Sequence, residues 1–267
     1  MTPSKLGRLI NLTVVMAVLF PIVVLAVWSL SRGWPADRLL PGEWGLRGWR
    51  YLFAPGGKML ASLEVSVFVS LTVTILGLLI SIPAGRALGI YEFKGKRLAE
   101  ILILTPLIIP ATTVGMGIQL EFIRYGLTDT VLGVILAHLP LVLPYGIRVF
   151  ASIYQALGTK WDEQAQILKA GAWQRFRYIT LPFLYPGIIS GGVLMFNVSL
   201  SQYFLTYLIG GGKVVTLPVL LFPFINSGDR VIAAGLGLVI IALSLIFMVI
   251  IEKMVGDPER QTNFYYL

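Results

Sequence analysis

The side chains able to do chemistry in this chain are few, and their types exclude several kinds of site at once. There is no Cys and a single His, His138, so disulfide frameworks, thiolate metal sites, Cys nucleophiles and multi-His metal centres are ruled out. Gly210-Gly211-Gly212-Lys213-Val214 superficially resembles a phosphate-binding loop. It lacks the first Gly at the required spacing and the Ser or Thr that would hold magnesium, so a flexible loop next to a membrane exit is expected instead. No cluster of His, Asp, Glu or Cys offers a membrane-embedded enzyme site. Among the polar groups inside apolar stretches, those that stand out are His138, with Pro140 and Pro144 following, and Asn197, Ser199, Ser201 and Gln202. His138 is open to two readings, a packing His bonded to a carbonyl freed by a proline or a group lining a solute pathway. Asn197, Ser201 and Gln202 likewise either face a pathway or bond neighbouring helices.

The elements that must position these groups are membrane spans. The chain has 267 residues, 57% hydrophobic and 13% charged, with mean hydropathy +0.83, against a charged share of roughly 25% for soluble domains. Six uncharged runs approach the ~20 residues needed to cross a bilayer as a helix: 10–30, 65–85, 101–120, 130–147, 181–212 and 231–251. The fold class expected is therefore all-α, a polytopic membrane protein with six transmembrane helices. The net charge of +8 is spread over short segments between the runs, which fits membrane topology better than a nucleic-acid surface. The Lys/Arg bias favours both termini inside. Lys5 and Arg8 precede the first run without a small-residue cleavage site, so that run is expected to stay as a span. The outer loop 31–60, rich in Gly and Pro and carrying Trp34, Trp44 and Trp49 at an interface, is expected to form a short lateral segment. The piece 214–226, with Pro218 and Pro223, is too short to cross and reads as interfacial or re-entrant. The domain partition is 1–60 for the first helix and outer loop, 61–251 for the core, and 252–267 for a cytoplasmic tail.

The spans contain no Asp, Glu, Lys or Arg, which leaves little to couple an ion gradient to solute movement. Energy for uphill transport must then come from another chain. Between the fourth and fifth spans, Thr159 followed by Asp162 and Glu163 reads as a capped helix start. Trp161, Ala165, Leu168, Ala172, Phe176 and Ile179 recur at helical spacing with Gln166, Lys169, Arg175 and Arg177 opposite. Such an amphipathic helix either lies on the bilayer or docks in a groove on a partner.

The string Glu163-Gln164-Ala165-Gln166-Ile167-Leu168-Lys169, nine further residues, then Ile179-Thr180-Leu181-Pro182 resembles the EAA motif of permease subunits of binding-protein-dependent ABC importers. Two positions depart from the motif, Gln164 for the second Ala and Lys169 for the Gly. The resemblance implies the type I importer permease fold over about 61–251, with the EAA-like loop at 159–182. It implies that Glu163, Ala165, Leu168, Lys169, Ala170, Gly171 and Ala172 meet an ATPase subunit. It also implies a prokaryotic plasma (inner) membrane location and a non-catalytic role, with no cofactor in this chain and ATP and Mg bound by the partner ATPase. The partners implied are two ATPase subunits, a second permease that is a paralogue or a copy, an extracytoplasmic solute-binding protein and the lipid bilayer. Residues 199–222 look most like the spermidine/putrescine branch, with thiamine, ferric-iron and oxyanion branches similar. A stand-alone channel or secondary carrier would explain six spans but not the loop. Because a Lys in left-handed geometry costs about 1 to 2 kcal/mol, the first loop helix is expected to run past Lys169 and break towards Gly171.

Overall fold

The computed structural model describes residues 5–33 and 41–255. Trp34 and the tail from residue 256 lie outside them. Among the described residues, five helices are long and apolar enough to cross a membrane, and a sharply bent pair makes a sixth candidate. In chain order the elements are α1 (Lys5–Ser29), β1 (Ser31–Gly33), β2 (Glu43–Trp44), α2 (Arg47–Leu52) and α3 (Met59–Ile90). There follow α4 (Lys96–Ile108), α5 (Ala111–Arg124), α6 (Val131–Leu157), α7 (Lys160–Ile167) and α8 (Ala172–Arg175). A π-helical turn (Phe176–Thr180) leads into α9 (Leu181–Leu200), then α10 (Phe204–Gly210), α11 (Leu217–Asn226) and α12 (Arg230–Val255).

Two of the expected spans are not single helices. The third breaks at Ile109-Pro110, where α4 and α5 meet at 100°. Ile109 has φ −79 and ψ 131, the extended backbone forced on a residue before proline, whose own nitrogen cannot continue the ladder. The fifth ends at Leu200 rather than running to Gly212, because the backbone leaves the helix over Ser201–Tyr203 before α10 begins. Both breaks escape a hydropathy reading, since every residue around them is uncharged.

The chain divides into two compact units. The larger holds Glu64–Thr216 and the chain from Leu243. Its core is made by Val69 and Val73 of α3, Val134, Ala137 and Val142 of α6, Met195 of α9 and Leu205 and Ile209 of α10. Close helix approach replaces some of that bulk. A Cβ on Gly89 of α3 would stand 2.6 Å from the Ala151 carbonyl of α6, so only glycine allows the two backbones to pack at that height. Thr130 caps α6 by accepting the Gly133 N–H at 3.0 Å while donating to the Leu127 carbonyl at 2.7 Å. On the other side of α9, the Phe196 ring stacks on Phe247 of α12 with centroids 3.9 Å apart, and Ser244 donates to the Asn197 side-chain carbonyl.

The smaller unit holds the chain up to Leu63 and Leu217–Ala242. The segment after α1 forms a two-stranded antiparallel ribbon, Ser31 opposite Trp44, followed by the six-residue α2. The apolar stretch after the glycines becomes α11, ten residues and about 15 Å long, half of a crossing. Arg47 of α2 grips Asp229 with both terminal nitrogens, at 2.6 and 3.0 Å. Asp229 is also the N-cap of α12, accepting the Ile232 N–H at 3.3 Å, so one carboxylate fixes the lateral helix and starts a span. Arg230 next to it lies over the Trp28 ring. Burial works against the charged Asp229 carboxylate, but the Arg47 bonds and the Ile232 and Val231 N–H groups outweigh it and hold the carboxyl below its ordinary 3.8.

A lowered folded-state pKa means the clamp stabilises fully above the ordinary value and fades as pH falls through the folded one. Arg47→Met is expected to destabilise the purified protein by about 1 kcal/mol at pH 7, the upper end for a partly exposed pair. The deficit against wild type, followed by Trp fluorescence during thermal unfolding, should shrink once pH drops below 3.8. A deficit independent of pH would show that Arg47 acts through packing instead.

Candidate coupling site

The loop between α6 and α9 is built from two short helices and a wide turn. Gly158 ends α6 at φ 63, and Thr159 occupies the N-cap of α7 without its hydroxyl making a cap bond. Asp162 and Glu163 fall in the first turn, where the helix dipole favours carboxylates. Asp162 also reaches out of the helix. Its Oδ1 lies 3.0 Å from Arg175 Nε of α8 as an ion pair whose N–H is not aligned as a hydrogen bond, and its Oδ2 accepts Gln166 Nε2 at 3.3 Å. The two short helices are thereby tied to each other.

The break between them corrects the sequence expectation. Lys169 has φ 60, so α7 stops there and does not run on to Gly171, which sits at φ −65. The termination is a complete Schellman motif: the Ala170 N–H donates to the Ala165 carbonyl at 2.9 Å and the Lys169 N–H to the Gln166 carbonyl at 2.9 Å. Two hydrogen bonds that satisfy otherwise orphaned carbonyls outweigh the cost of placing a Lys in the left-handed region. The Lys side chain itself is exposed. Gly171 instead serves as the N-cap of α8, its N–H donating to Gln174 Oε1 at 2.9 Å.

The break also disperses the apolar stripe expected on one helix. Ala165 is buried and Ala170 half-buried, whereas Glu163, Leu168, Lys169, Gly171 and Ala172 are exposed. Leu168 and Ile167 are each 81% exposed and Trp173 is 72% exposed. Ile167 and Trp173 lie outside the motif letters; the available sign in the sequence was an apolar residue on either side of Leu168-Lys169 with no core position to fill. From α8 the chain passes through the π turn into α9 with no residue leaving helical geometry. Pro182, at the head of α9, lacks an N–H and would crowd the carbonyl four residues back in a regular α-helix. The wider turn before it absorbs that misfit.

The polar residues singled out within the spans gather at the other end of α9, around the break. His138 is 1% exposed. Its Nδ1 lies 2.9 Å from Ser199 Oγ, before the break, and its Nε2 lies 2.9 Å from Thr206 Oγ1, after it. The ring therefore meets two hydroxyls and no proline-freed carbonyl. The Thr206 hydroxyl donates to the Gln202 carbonyl at 2.9 Å, so its oxygen accepts from Nε2–H, and the Ser199 hydroxyl donates to Nδ1. Ser201 is exposed, Asn197 and Gln202 are half-buried, and Ser201 Oγ donates to the Asn197 carbonyl at 2.7 Å. Thr206, which the sequence reading passed over, completes the set. At the far end of α10, Asp129 takes φ 62 and its N–H donates to the Ile209 carbonyl at 2.7 Å, while Lys213 pairs with its carboxylate at 3.2 Å. A Cβ on Gly211 would collide with that carboxylate. The three-glycine segment is thus packed against the loop that precedes α6.

The chain is a polytopic helical protein with two broken apolar segments and a two-helix loop fused to the helix behind it. It belongs to the family of binding-protein-dependent transport system inner membrane components, whose family model matches residues 77–255. A permease of Salmonella typhimurium named for 2-aminoethylphosphonate transport is 27% identical over 236 residues, 88% of each chain. The molybdenum transport system permease protein of Mycobacterium tuberculosis is 26% identical over 274 residues, covering 97% of this chain and 99% of that one. The molybdate/tungstate transport system permease protein of Thermococcus kodakarensis is 25% identical over 203 residues, 74% of this chain and 79% of that one. Among solved structures, a bacterial ABC transporter involved in the import of the acidic polysaccharide alginate superposes with a TM-score of 0.66 at 16% identity, over 96% of this chain and 98% of that chain. The chain is accordingly a multi-pass inner-membrane permease component of a binding-protein-dependent transport system.

Two measurements test this geometry. Lys169→Gly should remove about 1 kcal/mol of backbone strain and slow hydrogen exchange at the Lys169 and Ala170 amides about fivefold, whereas Lys169→Val should accelerate it. His138→Leu should destabilise the purified protein by about 1 to 3 kcal/mol, because it leaves the buried Ser199 hydroxyl unpaired. Adding Ser199→Ala to His138→Leu should cost much less than Ser199→Ala alone; full additivity in thermal unfolding would contradict the bridge.

Proposed function

We propose that this permease couples ATP hydrolysis by two ATPase subunits to solute movement through the 159–182 loop. The observation that carries the reading is a ledge of exposed Ile167, Leu168 and Trp173, flanked by Glu163 and Lys169, whose α8 part runs into α9 through the π turn in unbroken helical geometry. Apolar side chains that none of the described residues cover suit a groove on a partner. Glu163, Leu168, Lys169, Gly171 and Ala172 supply the contact, while Ala165 and Ala170 shape it from beneath. Closure of the ATPases around their ATP and Mg pushes on α8 and hence on α9 as a body. A second permease, paralogue or copy, forms the other half of the pathway, and both termini face the cytoplasm with the loop. Asn197, Ser201 and Gln202 at the break are the polar groups offered to solute, with His138 behind them.

The solute is a small oxyanion rather than a polyamine. The relatives carry names for 2-aminoethylphosphonate, molybdate and tungstate, and residues 65–85, 101–120, 130–147, 181–212 and 231–251 hold no carboxylate to receive a polycation. Delivery from the binding protein is to the loops at 31–60 and 214–230.

Glu163→Ala is expected to abolish most ATP-dependent uptake by the reconstituted importer while leaving membrane insertion normal. Wild-type uptake should be competed by molybdate, sulfate or 2-aminoethylphosphonate and not by spermidine. Unchanged uptake by the variant would remove the docking role, and competition by spermidine alone would remove the oxyanion assignment.

A further inference from the structure

On the same side as the coupling loop, the ends of α3, α4 and α6 enclose a cavity of about 480 Å³, within the usual range for small-ligand pockets. Its lining is mixed, with neutral Ser152 and Gln155 beside apolar and charged side chains. Ile103, Leu104 and Ile147 are apolar, and Lys96, Glu100 and Arg148 are charged. Lys96 is already engaged, its ammonium donating to Glu92 Oε1 at 2.8 Å and to the Tyr91 carbonyl at 3.2 Å. Glu100, half-buried, and Arg148 have no hydrogen-bond or ion-pair partner among the described residues. They share one cavity without reaching each other, so one unpaired anion and one unpaired cation face a common space.

The depth of that space decides what can enter it. Arg148 lies about 26 Å along α6 from Val131 at 1.5 Å per residue, close to the edge of a hydrocarbon core about 30 Å thick. A guanidinium at that level meets lipid phosphates. An anionic headgroup would leave Glu100 facing like charge, and a quaternary ammonium offers the carboxylate no N–H. A headgroup with both a phosphate and a primary ammonium satisfies both side chains by charge-assisted hydrogen bonds.

We propose that this cavity binds phosphatidylethanolamine from the surrounding bilayer, with the phosphate on Arg148, the ammonium on Glu100 and the first part of an acyl chain on Ile103, Leu104 and Ile147. Glu100 sets headgroup selectivity and Arg148 sets affinity. The site does not depend on which solute the permease carries, only on the chain standing in a bilayer.

The test is lipid titration of the delipidated, intact transporter by native mass spectrometry. Wild type should bind phosphatidylethanolamine at least about tenfold more tightly than phosphatidylglycerol or phosphatidylethanolamine acetylated on its amine. Arg148→Gln should weaken phosphatidylethanolamine binding by about tenfold, and Glu100→Gln should abolish the preference over the acetylated lipid. Equal retention of the three lipids by wild type, or a preference that survives Glu100→Gln, overturns the proposal. Displacement of the bound lipid by an equal concentration of soluble phosphoethanolamine would overturn the lipid assignment. Where a variant fails to assemble, the lipid comparison on the wild-type complex decides the matter alone.

Discussion

Breaking a helix inside a bilayer strands carbonyls and N–H groups where no water can receive them, and the larger unit is organised around meeting that demand. At Ile109-Pro110 the proline removes one donor outright. At Ser201–Tyr203 the repair is made by side chains: the Ser201 hydroxyl covers the Asn197 carbonyl and the Thr206 hydroxyl covers the Gln202 carbonyl. His138 then spans the gap from Ser199 to Thr206. With Nε2–H directed at Thr206, the imidazole acts as one donor and one acceptor of fixed orientation. An apolar residue of the same size could fill the volume but not hold the two helical pieces in register.

The same logic sets what is tied to each end of α9. Its lower end is continuous through the π turn with α8, and α8 is held to α7 by the Asp162 and Arg175 pair. Its upper end stops at the break, beyond which α10 is anchored to α6 by His138 and to the loop before α6 through Asp129. The backbone at Ser201–Tyr203 therefore leaves helical geometry between two bodies that are each internally bonded, with His138 as the side-chain tie across the gap. Polar side chains are concentrated at this point, and the flanking cores are built of Val, Leu and Met.

Most of the architecture was legible in composition and hydropathy because membrane spans announce themselves by length and the absence of charge. The places of five spans, of the bent pair that makes a sixth candidate and of the short apolar α11 follow from that alone. The breaks were not legible, because Ile109-Pro110 and Ser201–Tyr203 interrupt hydrogen bonding without interrupting hydropathy. Prolines gave no decision either: Pro140 and Pro144 sit inside α6 without ending it, whereas Pro110 ends α4. The loop's position and motif were readable, but its turn was misplaced. The energy of a left-handed Lys was weighed there without the two backbone bonds that the Schellman geometry returns. Those bonds depend on carbonyls at Ala165 and Gln166, which no side-chain pattern displays.

The requirement at residue 169 falls on the backbone dihedral and not on the side chain, which points outward. In the genetic code, lysine lies one base change from asparagine, the non-glycine residue most at ease in the left-handed region, but two from glycine, with arginine among the intermediates. A gene encoding this loop can thus drift among Lys, Arg and Asn while the turn keeps its shape, changing the charge presented at the ledge as it does so. The variable the fold leaves free at this turn is the charge of one exposed side chain, which can change without the backbone having to be rebuilt.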